Sequence, residues 1–258
     1  MRRQHRSLAW ELVKRDLLGR YRGASLGMAW ALATPFLMLL VYTLAFGHLA
    51  KGQWPGLHTL QDFALWVFAG LAIHGAFAEC LVRAPSLVVA NASYVTKVVF
   101  PLDLLPWPVI ATAVFHLAMH LLVLLLALLV WRGGLPVTAI ALPLVLLPLL
   151  PFLLGLLWLL AAVGTYLRDI GQLVGPVATA MLFLSSAILP VRAIPPRWQW
   201  VVEWNPLTPV IDQVRAILFL GQWPDLRPLG LEFCLAVVFG LAAHAVFRKL
   251  RPGFADVL

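Results

Sequence analysis

Long apolar runs separated by short polar intervals dominate the chain. Six of them meet or approach the roughly 20 residues a helix needs to cross about 30 Å of hydrocarbon. They cover residues 28–47, 63–81, 104–130, 139–166, 174–189 and 229–247, the fifth being the shortest. A further run, 210–220, is too short to span. Ahead of the first run the pattern takes a helical period over 7–22. Trp10, Val13, Leu17 and Tyr21 recur on one side, and Glu11, Arg15 and Arg22 gather on the other, with Leu8, Leu12 and Leu18 intruding on the polar face. A basic, tryptophan-bearing amphipathic helix beside a first span belongs in the membrane interface. The pattern predicts an all-α integral membrane protein: one transmembrane domain over 1–258 with six spans and an interfacial helix at 7–22.

Composition agrees with that expectation. Hydrophobic residues make up 62% of the chain, charged residues 12%, and the mean hydropathy is +0.91. A soluble domain of this length needs more polar surface to cover its core. The first apolar run begins too far from the N-terminus for a signal peptide to be expected. The net charge of +8 would suit nucleic acid, but the placement of the charges argues against it. Arg2, Arg3, Arg6, Lys14, Arg15, Arg20 and Arg22 precede the first span, Arg83 and Lys97 follow the second, Arg168 the fourth, and Arg248, Lys249 and Arg251 the sixth. Lys51, Arg132, Arg192, Arg197, Arg215 and Arg227 fall on the other side. Basic residues favour the cytoplasmic side, so both termini are expected there. Cys80 and Cys234 lie in expected spans and imply no disulfide framework.

Several short segments carry more specific information. Gly19, Gly23, Gly27 and Ala31 recur every four residues, which suits either a bend or a tight helix contact. Trp54, Pro55 and Gly56 mark turns in the first outer loop. The inner segment 83–101 is bracketed by Pro85 and Pro101, with Ser86 as a candidate helix cap. It fits a short amphipathic helix that docks on a partner, or one that only touches lipid. His116 and His120 share a helix face, as polar packing, a wet cavity lining or the start of a metal site, although no carboxylate or cysteine lies nearby in sequence. Pro143, Pro148 and Pro151 predict a kink or break in the fourth span. The outer region 190–227 holds Trp198, Trp200 and Trp204 before the short run with Asp212 and Arg215. It reads as an interfacial aromatic belt or as a re-entrant gate helix, with Asp212 and Arg215 neutralising each other.

The chain has no phosphate-binding G-x-x-x-x-G-K-[ST], no G-x-S-x-G and no H-E-x-x-H, and its 11 carboxylates are scattered. Glu79 and Glu232 fall near span ends, which leaves few ionisable groups at the midplane for proton-coupled transport. Uphill transport would then draw its energy from another subunit.

Four ordered blocks resemble one family. VKRDLLGRYRGASLGMAWALATP at 13–35, NASYVTKVVFP at 91–101, YLRDIGQLVG at 166–175 and NPLTPVIDQVR at 205–215 look like ABC-2 type polysaccharide-export permeases. The membrane subunits of O-antigen exporters are the most similar in appearance, with teichoic-acid and capsule exporters as relatives. The resemblance implies a homodimer in the bacterial inner membrane, paired with two ABC ATPase subunits that bind ATP and magnesium, this chain carrying no cofactor. It implies a polyprenyl-pyrophosphate-linked glycan as substrate. Arg20 and Arg22 match the basic motif before span one, where pyrophosphate or anionic lipid would be met. Asn91, Tyr94 and Lys97 fall in the implied ATPase-docking segment, and Trp198, Trp200 and Trp204 at the outer mouth. The rivals are an ABC-2 permease for another amphiphile, a membrane enzyme acting on polyprenyl-linked sugars, and a non-catalytic scaffold.

Overall fold

A computed structural model describes residues 3–46, 59–96, 100–188, 191 and 194–258, and among them no strand occurs. The helices are α1 (Arg3–Tyr21), α2 (Trp30–Phe46), α3 (Leu60–Arg83), α4 (Ala92–Thr96), α5 (Pro106–Arg132), α6 (Leu142–Val145), α7 (Leu149–Tyr166), α8 (Ile170–Phe183), α9 (Pro196–Glu203), α10 (Thr208–Phe219), α11 (Leu226–Leu250) and α12 (Phe254–Val257). Lys97 and the turn residues Trp54, Pro55 and Gly56 lie outside the described residues.

Five described stretches are long and apolar enough to cross a membrane: Gly27–Leu44, Gln61–Arg83, Leu102–Arg132, Val137–Tyr166 and Leu226–Val257. The expected fifth span is represented by α8, whose 14 residues rise about 21 Å. That falls short of the hydrocarbon thickness by itself. The expected break in the fourth span is present. A 3-10 turn at Val137–Ala141 and α6 precede α7, with Pro143 at the start of α6 and Pro148 as the N-cap of α7. Proline lacks the N–H an uninterrupted helix would use there.

Helix α3 is the centre of the bundle and packs against α2, α5, α7, α8 and α10. Its buried residues run around most of its circumference, including Leu65, Phe68, Ile73 and Cys80. The partnership of α7 with α11 depends on small residues. A Cβ on Gly155 would lie 2.9 Å from the Gly240 Cα, and one on Gly240 would lie 2.9 Å from the Pro151 carbonyl oxygen. Backbones can approach this closely only where side chains are missing, and membrane helices pack in this way without a hydrophobic driving force. Among its described side chains, helix α2 buries only the stripe Ala31, Pro35 and Leu39 and exposes Phe36, Leu37, Leu40 and Leu44. Exposed apolar faces of this kind suit lipid or another protein rather than water.

The glycine series at the N-terminal side resolves as a bend. Helix α1 ends at Tyr21, and Gly23 and Gly27 have φ of 87° and 50° in the link to α2. A Cβ at Gly19, Gly23 or Gly27 would meet nothing within 4 Å, so no tight helix contact is made there. Positive φ is readily available only to glycine.

Helix α1 also docks through a different stripe from the one its periodicity suggests. Leu12 is buried and Leu8 packs on the core, whereas Trp10 and Leu18 are exposed. The stripe Leu8, Leu12, Asp16 and Arg20, at i+4 spacing, faces the bundle, and α1 packs chiefly on α5. Two of the three leucines that intrude on the polar face, Leu8 and Leu12, are therefore the docking residues.

Candidate functional site

Where α1 meets α3 and α5, polar side chains from three elements converge on Glu79. Arg20 Nη2 lies 2.7 Å from Glu79 Oε1, and His116 Nδ1 lies 2.7 Å from Oε2. Arg83, one turn beyond Glu79, is 3.5 Å from the same carboxylate and 2.6 Å from Asp16. Thr112 donates to the other Asp16 oxygen at 2.8 Å. Burial works against ionisation of Asp16, but the hydrogen bonds and charge from Arg83 and the Thr112 hydroxyl outweigh it and hold the carboxyl below its usual range. The Tyr21 hydroxyl and His116 Nε2 are 2.8 Å apart. With Nδ1–H donated to Glu79, Nε2 accepts a hydrogen bond from the Tyr21 hydroxyl.

Beside this cluster lies a cavity of about 530 Å³ between α1, α2, α3 and α5. Arg20, Tyr21, Glu79, His116 and His120 supply its polar wall, and Trp30, Pro35 and Ala72 belong to the apolar one. His120 Nδ1 is bound to the His116 carbonyl, 2.8 Å away. The histidine pair therefore serves as polar packing and cavity lining. Among the described residues no group of three or more His, Cys, Asp or Glu side chains suits a metal ion.

The structure separates Arg20 from Arg22. Arg20 turns into the cavity and is held by Glu79, while Arg22 is exposed beyond the end of α1. Two arginines and two carboxylates make the cluster internally neutral. An anion arriving at Arg20 therefore competes with Glu79 for its guanidinium. Pairing of residues 59 positions apart, as for Arg20 and Glu79, leaves no local sequence signal.

In the inner segment, Tyr94 and Asn91 turn toward their own chain. Tyr94 accepts a hydrogen bond from Arg15 at 2.8 Å and stacks on Phe100 with ring centroids 4.7 Å apart. Asn91 closes the preceding turn by donating to the Leu87 carbonyl at 2.9 Å. Ser86 donates back to the Arg83 carbonyl at 3.3 Å and caps no helix. Among the described residues of the segment, the exposed positions are Ser86, Ala90 and Ser93.

At the opposite end, α10 folds back against α3. Its Arg215 is 1% exposed and donates to the carbonyls of Trp66 (2.9 and 3.0 Å), Ser186 (2.6 Å) and Ala187 (2.8 Å). Asp212 stands 3.8 Å from Arg215 with a half-exposed side chain, so carbonyls rather than this carboxylate supply most of the arginine's partners. Asn205 and Thr208, from the NPLTP block, staple the turn after α8: Asn205 donates to the Leu184 carbonyl, and the Thr208 hydroxyl accepts from the Ser186 N–H. Trp198, Trp200 and Trp204 are exposed around α9, at 53%, 58% and 84%.

Helices of spanning length around a partly buried polar cluster, with a docked amphipathic helix at one end and a folded-back helix at the other, define the class as a multi-pass helical membrane protein. Residues 7–219 match the family of the ABC-2 type transporter, and the chain belongs to that family. The chain is 30% identical over 256 residues to an O-antigen export system permease protein, RfbA, of Myxococcus xanthus, covering 98% of this chain and 96% of the relative. It is 23% identical to an RfbA of Klebsiella pneumoniae, over 96% of this chain and 93% of the relative. It is 24% identical to the polysialic acid transport protein KpsM of Escherichia coli, over 90% of each.

Proposed function

We propose that this chain is the membrane permease of an ATP-driven exporter that carries polyprenyl-pyrophosphate-linked polysaccharide from the cytoplasm across the inner membrane. Two copies would form the path, and two separate ATPase chains would supply the energy. The observation that carries this reading is the end-to-end similarity to O-antigen export permeases. The polar cavity beside Arg20 supports it, because a pyrophosphate at the inner interface needs guanidinium groups able to make paired contacts.

On this reading α1, the inner segment and the C-terminal end face the cytoplasm. Ser86, Ala90 and Ser93 form the face presented to the ATPase, while Tyr94 and Asn91 keep the segment in shape. The exposed indoles of Trp198, Trp200 and Trp204 offer stacking faces to sugars leaving the outer mouth. Weak, repeated contacts let a polymer slide onward.

Purification from native membranes tests the assembly: an ATP-hydrolysing chain is expected to accompany the permease, and the permease alone is expected to hydrolyse no ATP. Recovery of an active exporter without an ATPase would overturn the proposal. Trp200→Ala is expected to lower glycan export in cells while the amount of protein in the membrane stays unchanged. A fall in abundance with export per molecule intact would return the indoles to interfacial anchoring. The similarity to KpsM keeps a capsule-type polymer as the second reading, and the lipid-linked glycan that stimulates ATP hydrolysis in vesicles separates the two.

A further inference from the structure

A second cavity, of about 420 Å³, opens at the end of the bundle away from α1, between α7, α11 and the segment joining α9 to α10. Its walls are apolar, built from Leu149, Phe152, Leu235 and Phe239. Two carboxylates, Glu203 and Glu232, line it, and no basic residue does among the described residues. Glu232 Oε2 is buried with no hydrogen-bond partner among the described residues. Leaving an acceptor dry and unmatched costs free energy, more so when it is charged. The position of the group is also defined. Eighteen residues of α11 separate Glu232 from Leu250, which places it about 27 Å along the helix from that end. Against a hydrocarbon layer of about 30 Å, Glu232 stands at the far interface, where lipid head groups begin. The exposed Trp204 beside it has the preference of that zone.

We propose that this groove binds a phospholipid with a primary-ammonium head group, its acyl chain lying on Phe152, Leu235 and Phe239 and its ammonium donating to Glu232, with Glu203 adding negative potential. Charge selects the occupant. A pyrophosphate or an anionic head group would be repelled by two carboxylates. A quaternary ammonium has no N–H to give to Glu232. A free sugar would leave the apolar wall without a partner. The site does not depend on the transported substrate, so its failure would leave the transport reading untouched.

Native mass spectrometry of the detergent-purified protein provides the test. The protein is titrated with phosphatidylethanolamine, phosphatidylcholine and phosphatidylglycerol of identical acyl chains. The expected result is a preference of about tenfold for the ethanolamine lipid, the scale of one charge-assisted hydrogen bond. Glu232→Gln is expected to abolish that preference while leaving weak binding common to all three. Glu203→Gln, at the exposed end of α9, is expected to reduce it without affecting folding. Equal uptake of the three lipids by the native protein would overturn the proposal. So would a preference that survives Glu232→Gln, because a neutral side chain would then be sufficient. Displacement of the bound lipid by a free oligosaccharide would reassign the groove to the glycan.

Discussion

Glu79 is the residue on which the inner cluster turns, since Arg20, Arg83 and His116 all address its carboxylate. Its side chain is 14% exposed, so these contacts are shielded from solvent more than a surface pair would be. Glu79→Gln is expected to lower the thermal stability of the detergent-purified protein, by about 1–3 kcal/mol, because Arg20 loses its counter-charge and Arg83 loses one of its two. Arg20→Lys is expected to retain most of that stability, since the pair survives in weaker form. Asp16 gives the cluster a defined pH response. Its carboxyl is held below the ordinary range, so its contribution is complete above the unfolded-state pKa and is lost as pH falls through the lowered native value. The stability gap between the native protein and Asp16→Asn is therefore expected to stay constant from about pH 5 to 8 and to narrow below about pH 4. A gap that widened in acid would contradict the pairing with Arg83.

Helix α10 shows what a single element needs in order to fold back on a bundle. Its start and the preceding turn are stapled by Asn205 and Thr208, and its far turns are held by Arg215 reaching Trp66, Ser186 and Ala187. The fit depends on Gly70 of α3, where a Cβ would lie 2.6 Å from the Ala187 carbonyl oxygen and 2.8 Å from Arg215 Nη2. Arg215→Leu and Gly70→Ala are thus both expected to lower the yield of folded protein, the latter despite the roughly 1 kcal/mol that alanine gains over glycine inside a helix. Gly75→Ala, on the same helix with open space around it, is expected to be neutral or slightly stabilising. Fluorescence-detected size-exclusion yields after stepwise heating check both. The sequence made α10 legible as a short apolar run between prolines and tryptophans, because length alone distinguishes it from a span. It did not reveal Arg215's carbonyl partners, which are backbone atoms and carry no residue signature. The same holds for α1: an amphipathic helix was readable, but Leu8 and Leu12 looked like defects until α5 was there to receive them. Asn91 and Tyr94 were readable as part of a distinctive block, yet polarity does not show whether a side chain faces outward or back onto its own chain.

At the scale of the whole molecule, three separate observations place α1, the inner segment and the C-terminal end together. Arg15 reaches Tyr94, the Tyr166 hydroxyl donates to the Leu250 carbonyl, and α12 packs on α4. Asp103, just before α5, binds both His244 and Arg251 at 3.2 Å and fastens the last helix to the same end. The proposed orientation, which rests on the thirteen basic residues on this side and the six on the other, puts this end in the cytoplasm. Single cysteines in a protein lacking Cys80 and Cys234 test that orientation. Ser93 and Gln199 mark the two ends, Ser93 exposed within α4 and Gln199 within α9. In intact cells stripped of their outer membrane, Gln199→Cys is expected to react with a membrane-impermeant maleimide and Ser93→Cys is not. After the inner membrane is opened, both are expected to react, which shows that Ser93→Cys was protected by sidedness rather than by burial. Gln199 donates to the Ile194 carbonyl at 2.9 Å, so Trp198→Cys, on the exposed face of the same helix, serves as a second outer probe that does not disturb that contact. Labelling of Ser93→Cys before the membrane is opened, with both outer probes silent, would invert the molecule and place the cavity beside Arg20 at the outer surface, where it could not receive a substrate made in the cytoplasm.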